Sequence, residues 1–428
     1  SRYFMGNAQG KAPPVLAITK SPSYAIKRLG ARHLLLAEAG GAAATGVFNQ
    51  LEAFLLTFDE KSETKLHAEA AAAIDTGKRA NMNMDVIATS SADQGRYLIA
   101  AGQDQYCAIY ETTGFIMTEE GKLSFNFRPV GRFESDQSLN DGYQKCCIFD
   151  RSTCGNRLVT GGSDGFIRVW SVRDLVEHRD PTISRKPLLE TRAHNNEVDH
   201  VDVSSDARVI LSVGDGKALC WCMQTGKKLC ELEPPPALAT GFRVRSAKFT
   251  PLGETNYVVV VAFNEIRRTS KSAAFLVLYL VNREKTTPKP YVVRQVLTGD
   301  SISTMTLSPD GQLTALGSMA GSVAVLDTHE FRPLLDSQKT HAIFVTGIEF
   351  LDHSSGDVVL PQDLALQGAL PGCAAGSRAT FISLSADKTM QVHSVPADSS
   401  TPLSSSLLWI AATSFLAYCI LWWILSLF

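Results

Sequence analysis

Short apolar runs separated by turn-forming Gly, Asp, Asn and Pro recur from about residue 15 to residue 396. Many of these runs alternate apolar and polar positions, the period of a strand with two different faces. The alternation has a fixed register. Asp104 precedes Tyr110, Asp164 precedes Trp170, Asp215 precedes Trp221 and Asp387 precedes His393, each by six residues. Each Asp opens a short turn, and the aromatic residue or His ends the strand that follows. Another apolar run stands before each Asp, at 97–101, 157–161, 209–214 and 381–385. The steps between the four Asp residues are 60, 51 and 172, and the last is about three units of 57. Residues 317–326 fill one gap without an Asp, and runs at 257–263 and 275–281 fill the other.

This is the turn-and-strand signature of WD-repeat propeller blades, which predicts an all-β, seven-bladed propeller over residues 1–395. The leading strands are expected at 15–20, 81–87, 143–149, 198–204, 243–250, 302–308 and 344–350. In such blades a turn Asp joins a strand Ser or Thr, a preceding His and the Trp in one hydrogen-bonded network. His194, Ser212, Asp215 and Trp221 fit that network, with the Ser–Asp spacing one residue short. His341, Ser383 and Asp387 fit it again, with His393 in place of Trp. Asp104, Asp164, Trp170, His194, Asp215, Trp221, His341 and Asp387 are therefore read as blade structure, not as catalytic groups. Blade seven lacks a clear fourth strand, and the first residues of the chain are candidates to close it.

The hydropathy pattern changes at the end. Residues 407–428 contain no charged residue, His, Asn, Gln, Gly or Pro. A helix of this length spans roughly 33 Å, enough for a hydrocarbon core of about 30 Å. Trp409 lies near one end and Trp422 and Trp423 towards the other, where indoles favour the interface. A transmembrane helix at 407–428 and a Ser/Pro-rich linker at 396–406 are expected. The first residues show no signal-peptide core, no Asn begins a glycosylation sequon, and the nine cysteines are odd in number. The propeller is thus expected to face the cytosol, and a glycolipid-anchor reading of the tail lacks its signal peptide. If Met5 were the start, Met5-Gly6 would resemble a myristoylation site, but Gly10 stands where Ser or Thr is needed. Cys220-x-Cys222 lacks a second ligand pair for zinc, so buried free thiols are the better reading. A formal charge of −2 provides no basic field for nucleic acid.

One hairpin is unusual. The strands expected at 33–37 and 51–58 are joined by residues 38–50, a loop of 13 residues where about two to five suffice. Gly41 and Gly46 match the glycine spacing of a phosphate loop. However, Val47-Phe48 replaces its Lys and hydroxyl, so no phosphate or Mg²⁺ grip results. The run Gly40-Gly-Ala-Ala-Ala-Thr-Gly-Val-Phe-Asn49, the blade spacing and the apolar tail together resemble one family. It is the prolactin regulatory element-binding protein family, the endoplasmic reticulum guanine-nucleotide exchange factors for the Sar-type small GTPase. Local matches at 100–104, 160–170, 248–249, 317–324 and 342–347 extend the resemblance along the chain.

The resemblance implies that this loop projects onto the GTPase and that its backbone carbonyls hold a potassium ion. The corresponding exchange-loop positions are Gly40, Gly41, Thr45, Gly46 and Asn49, with the ion on the backbone of Gly40, Gly41 and Gly46. Glu38-Ala39 shortens the family's glycine run, and Ala44 stands where vertebrate members carry Lys. The implied partners are the Sar-type GTPase, the endoplasmic reticulum membrane and coat protein complex II components. Exchange needs tighter binding to the nucleotide-free GTPase, not covalent chemistry, which accords with a chain that shows no catalytic triad. The alternative expectation is a tail-anchored propeller scaffold without exchange activity.

Overall fold

The computed structural model describes residues 13–40, 47–58, 61, 66–89, 94–139, 141–152, 155–177, 185–253, 255–351 and 377–396. Their strands form seven sheets of four antiparallel strands, consecutive along the chain in six of them, which confirms the seven-bladed propeller. Blade five shows why these sequences make strands. Asn256–Glu265 is a nearly continuous β-branched and aromatic run, and every residue between its ends is buried. Val259, Val261 and Phe263 pack towards blade four, whereas Val258, Val260 and Ala262 pack towards blade six. A blade wedged between two neighbours thus buries both faces, and the core is distributed among the blade interfaces.

Six of the leading strands lie where the pattern placed them, within one or two residues at each end. The first does not. Val15–Ile18 pairs with Thr389–Pro396 as the outer strand of blade seven, and the inner strand of blade one is Ser23–Leu29. Leu16 and Ala17 pack against Leu384 and Met390 of blade seven, so the start of the propeller closes its last blade. The two runs differ in burial. Ser23–Leu29 buries Ser23, Ile26 and Leu29, whereas Val15 and Ile18 are exposed, as suits an edge strand. Pro396, expected to open the linker, ends the last described strand. Among the described residues no helix is long and apolar enough to cross a membrane, and residues 407–428 lie outside them.

Six inner strands carry a bulge at the same level, which turns Tyr24, Met82, Lys145, Arg245, Ser303 and Thr346 into the central cavity of about 320 Å³. Lower in the cavity, buried Asp85 takes Lys27 at 3.3 Å and Arg151 at 2.8 Å, while Arg28 reaches Glu349 at 3.4 Å. These pairs join blades one, two, three and seven around the axis. In each sheet the turn between strands two and three lies at the same end as the crossover to the next blade. All these turns and crossovers therefore form one face of the disc.

Candidate functional site

The predicted blade networks occur as hydrogen-bonded chains. In blade four, Trp221 Nε1–H donates to Ser212 Oγ at 2.8 Å, and His194 Nε2 lies 2.9 Å from the same oxygen. Asp215 stands 3.9 Å from His194 Nδ1 and accepts the backbone N–H groups of Asn195 and Asn196. In blade seven, Ser383 Oγ bridges His341 at 2.7 Å and His393 at 2.8 Å, with His393 stacked on Phe381. Asp387 lies 3.7 Å from His341 Nδ1. Burial lowers the pKa of His194, His341 and His393, so all three favour neutral imidazole. These contacts tie side-chain packing to turn geometry.

The other two motifs use different partners. In blade three, Trp170 donates to Thr160 at 2.9 Å, as the network predicts. Asp164 is held by Arg168 Nη2 at 2.7 Å, and Arg168 is itself buried and bonded to Glu190 and the Ser135 carbonyl. Buried Asp136 accepts Asp164 N–H and Ser163 Oγ–H, tying the turn to the preceding crossover. In blade two, Asp104 lies outside the strand network. Its carboxylate pairs with Arg79 at 3.5 Å, and Gln103 joins Asn81 and Tyr110 instead. Tyr110 and His393 also sit within longer strands and do not end them.

The first-blade loop stands on the face of turns and crossovers. Its strands run one pair further than expected: His33–Glu38 and Gln50–Phe58 pair through Glu38 and Gln50. The connection is therefore residues 39–49, of which 41–46 lie outside the described residues. Gly41, Thr45 and Gly46 fall in that segment. Gly40 and Asn49 meet at its base, where Gly40 N–H donates to Asn49 Oδ1 at 2.9 Å. A Cβ at Gly40 would lie 2.3 Å from Val47 Cγ1, so only glycine fits against that arm.

The base is clamped on both sides. On one side, Asn49 Nδ2 donates to the Gly77 carbonyl, Thr76 N–H donates to the Asn49 carbonyl, and Asn81 Nδ2 reaches the Glu38 carbonyl. On the other, Ala39 N–H donates to the carbonyl of Pro22 in the crossover that follows the closing strand. Lys20 Nζ lies 3.1 Å from Glu52 Oε1, beside Glu38. The sequence gives little warning that Glu38 and Glu52 are both buried; the available signal is an acidic residue inside each of two apolar strands. Burial, then the Glu52 charge, pushes the Glu38 carboxyl up to about 8. Gln50 Nε2 donates to Glu38 Oε2 at 3.1 Å, while Oε1 accepts no hydrogen bond. A proton kept on Glu38 spares the site two adjacent buried charges.

Exposed apolar side chains occur on the same face as this loop. Phe48 on its returning arm is 61% exposed, and Leu139, Ile266, Met319 and Ile343 emerge from other turns and crossovers of the same face. Among the described residues no group of three His, Cys, Asp or Glu side chains is placed to hold a metal.

Comparison with known proteins agrees with this architecture. The family model "WD domain, G-beta repeat" matches residues 142–171 and 185–222, which fall in blades three and four. The guanine nucleotide-exchange factor SEC12 of Rattus norvegicus is 25% identical over 422 residues, covering 89% of this chain and 90% of its own. Its counterpart in Mus musculus is 24% identical with the same coverage. WD repeat-containing protein 91 of Xenopus tropicalis is 37% identical, but over only 21% of this chain and 11% of its own, a match of blade repeats. The match to SEC12 covers 89% of this chain, so the chain is a WD-repeat propeller homologous over most of its length to the guanine nucleotide-exchange factor SEC12.

Proposed function

We propose that this chain is a guanine-nucleotide exchange factor for a Sar-type small GTPase and that the loop at residues 39–49 delivers the activity. The single observation that carries this reading is the loop's construction on a chain related to SEC12 over 89% of its length. It is far longer than its hairpin requires, and buried hydrogen bonds fix its base. A rigid base with a small-residue tip can press backbone groups against a partner at low entropic cost. Phe48, exposed on the loop's returning arm, supplies an apolar docking contact. Exchange then follows from tighter binding of the nucleotide-free GTPase, with no covalent step.

The same reading gives the loop a potassium ion. Asn49 Oδ1 is occupied by Gly40 N–H, and Gly40 leaves no room for a side chain. Backbone oxygens of Gly40, Gly41 and Gly46 would hold the ion, as a hard cation prefers, and the ion would stiffen the tip. Residues 407–428 would tether the propeller to the endoplasmic reticulum membrane, where the activated GTPase recruits coat protein complex II.

The test is release of a fluorescent GDP analogue from a purified Sar-type GTPase with residues 1–396 added. Replacing residues 39–49 by Asn-Gly should leave the melting temperature near wild type, because that turn suits adjacent antiparallel strands. It should also abolish the acceleration. Asn49→Ala should keep the fold, lower stability by about 1–3 kcal/mol and slow exchange, because it removes the side-chain bonds to Gly40 N–H and the Gly77 carbonyl. Faster exchange in potassium than in sodium, lost with the loop, would place the ion there. If the loop-deleted chain exchanges as fast as wild type, the proposal fails and a scaffold role replaces it.

A further inference from the structure

We propose that Cys220 and Cys230 are a redox-sensitive thiol pair that closes a disulfide across the two outer strands of blade four. Cys220 lies on Lys217–Cys222 and Cys230 on Lys228–Glu231, and the two residues stand directly opposite in the antiparallel register. Opposed residues in such a pair have Cα atoms roughly 4.5–5.5 Å apart, within the span that a disulfide bridges. The two thiols are near enough for each to shift the other's titration. Closing the bond therefore needs no strand movement beyond a side-chain turn.

The two sulfurs differ in a useful way. Cys220 is buried against blade five, whereas Cys230 is half-buried on the edge strand. The neighbouring Cys220 thiol lowers the pKa of Cys230, and the nearby Lys228 charge adds to the effect. The same contact, and then burial, raises the Cys220 thiol. The Cys107, Cys146 and Cys147 thiols are raised by burial and stay protonated. Cys222, lowered through Thr225, has no cysteine opposite it. Cys230 is thus the described thiol that combines a lowered pKa with a facing partner, as a reactive and resolving pair requires.

The oxidant class is a peroxide. The Cys230 thiolate attacks one oxygen of hydrogen peroxide, breaking the O–O bond to give a sulfenic acid, and the departing hydroxide takes up a proton. Cys220, as its proton leaves, attacks the sulfenic sulfur, forming the S–S bond and expelling the hydroxyl as water. Two thiols and one peroxide give one disulfide and two waters, with two electrons passing from the sulfurs to the peroxide.

Trypsin makes the test direct, because Lys227 and Lys228 separate the two cysteines. The full chain carrying Cys222→Ser, with its fold checked by thermal melting, is treated with graded hydrogen peroxide, alkylated and digested. Peptides 218–227 and 229–243 should appear joined, increasingly with peroxide, and separate on treatment with dithiothreitol. Cys220→Ser and Cys230→Ser should each abolish the joined species. Should Cys222→Ser fail to fold, fragmentation of the joined wild-type peptides between residues 220 and 222 assigns the bond. The proposal is overturned if Cys230 is recovered only as free thiol or sulfinic acid, or if the bond involves Cys222.

Discussion

Glu38 and Glu52 are two carboxyl groups enclosed at the base of the first-blade loop, with one lysine, Lys20, on the far side of the pair. Because burial and the Glu52 charge raise the folded pKa of Glu38, the unfolded chain loses this proton first as pH rises. The penalty is absent below the unfolded pKa near 4.5, grows as pH climbs and is complete above about 8. Glu38→Gln keeps the shape and removes the ionisation. The variant should therefore gain stability over wild type between pH 5 and pH 8, by about 1 kcal/mol or more at the upper end. Chemical denaturation of both proteins across that range checks it, and a constant difference would place the proton elsewhere. Gly40 makes the same point sterically, since Val47 fills the space where a Cβ would stand.

The four blades with a turn Asp are each secured by a different selection from one menu. Blade four uses His194, Ser212, Asp215 and Trp221; blade seven replaces the indole with His393; blade two uses Asn81, Gln103 and Tyr110. What persists is a buried polar chain that links the turn to the strand beside it, with each strong donor matched. In blade three the link is Asp164 and Arg168, at 2.7 Å and largely out of solvent. Asp164→Ala would leave the Arg168 guanidinium buried with one carboxylate fewer and free the Phe166 N–H that Asp164 accepts. The expected loss is about 2–4 kcal/mol, with unchanged exchange activity in the protein that remains folded. Thermal unfolding with an exchange assay at a permissive temperature separates the two effects. A normal melting point with lost exchange would move Asp164 into the functional surface.

At the scale of the whole molecule, the ring is held closed by a strand from the other end of the chain. Val15–Ile18 completes blade seven, and the crossover after it supplies Lys20 and Pro22 to the loop base. Closure and loop geometry are thus mechanically adjacent. Removing residues 1–18 should leave Thr389–Pro396 as an exposed edge and cost roughly 3 kcal/mol or more, a large effect for one short strand. Limited proteolysis should then cut first in blade seven or blade one, and exchange should weaken along with stability. First cleavage in blades three to five would mean that closure is borne elsewhere.

The sequence by itself determined the blade count, the inner strands of six blades, the Asp and aromatic partners of three blades, and the hairpin with surplus length. These are local: a period of two, turn residues and fixed offsets survive in one dimension because strand and turn geometry repeat. The strand that closes the ring was misplaced. The apolar runs at 15–18 and 23–29 look alike along the chain, and only pairing with residues 389–396 tells edge from axis. Equally, nothing local says that Asp104 leaves its network to Gln103, that Glu38 meets Glu52, or that Cys230 stands opposite Cys220. Those facts depend on register and on contacts between strands and blades. Burial and charge proximity arise there, so the tertiary structure alone decides which carboxyl keeps its proton and which thiol gives its proton up.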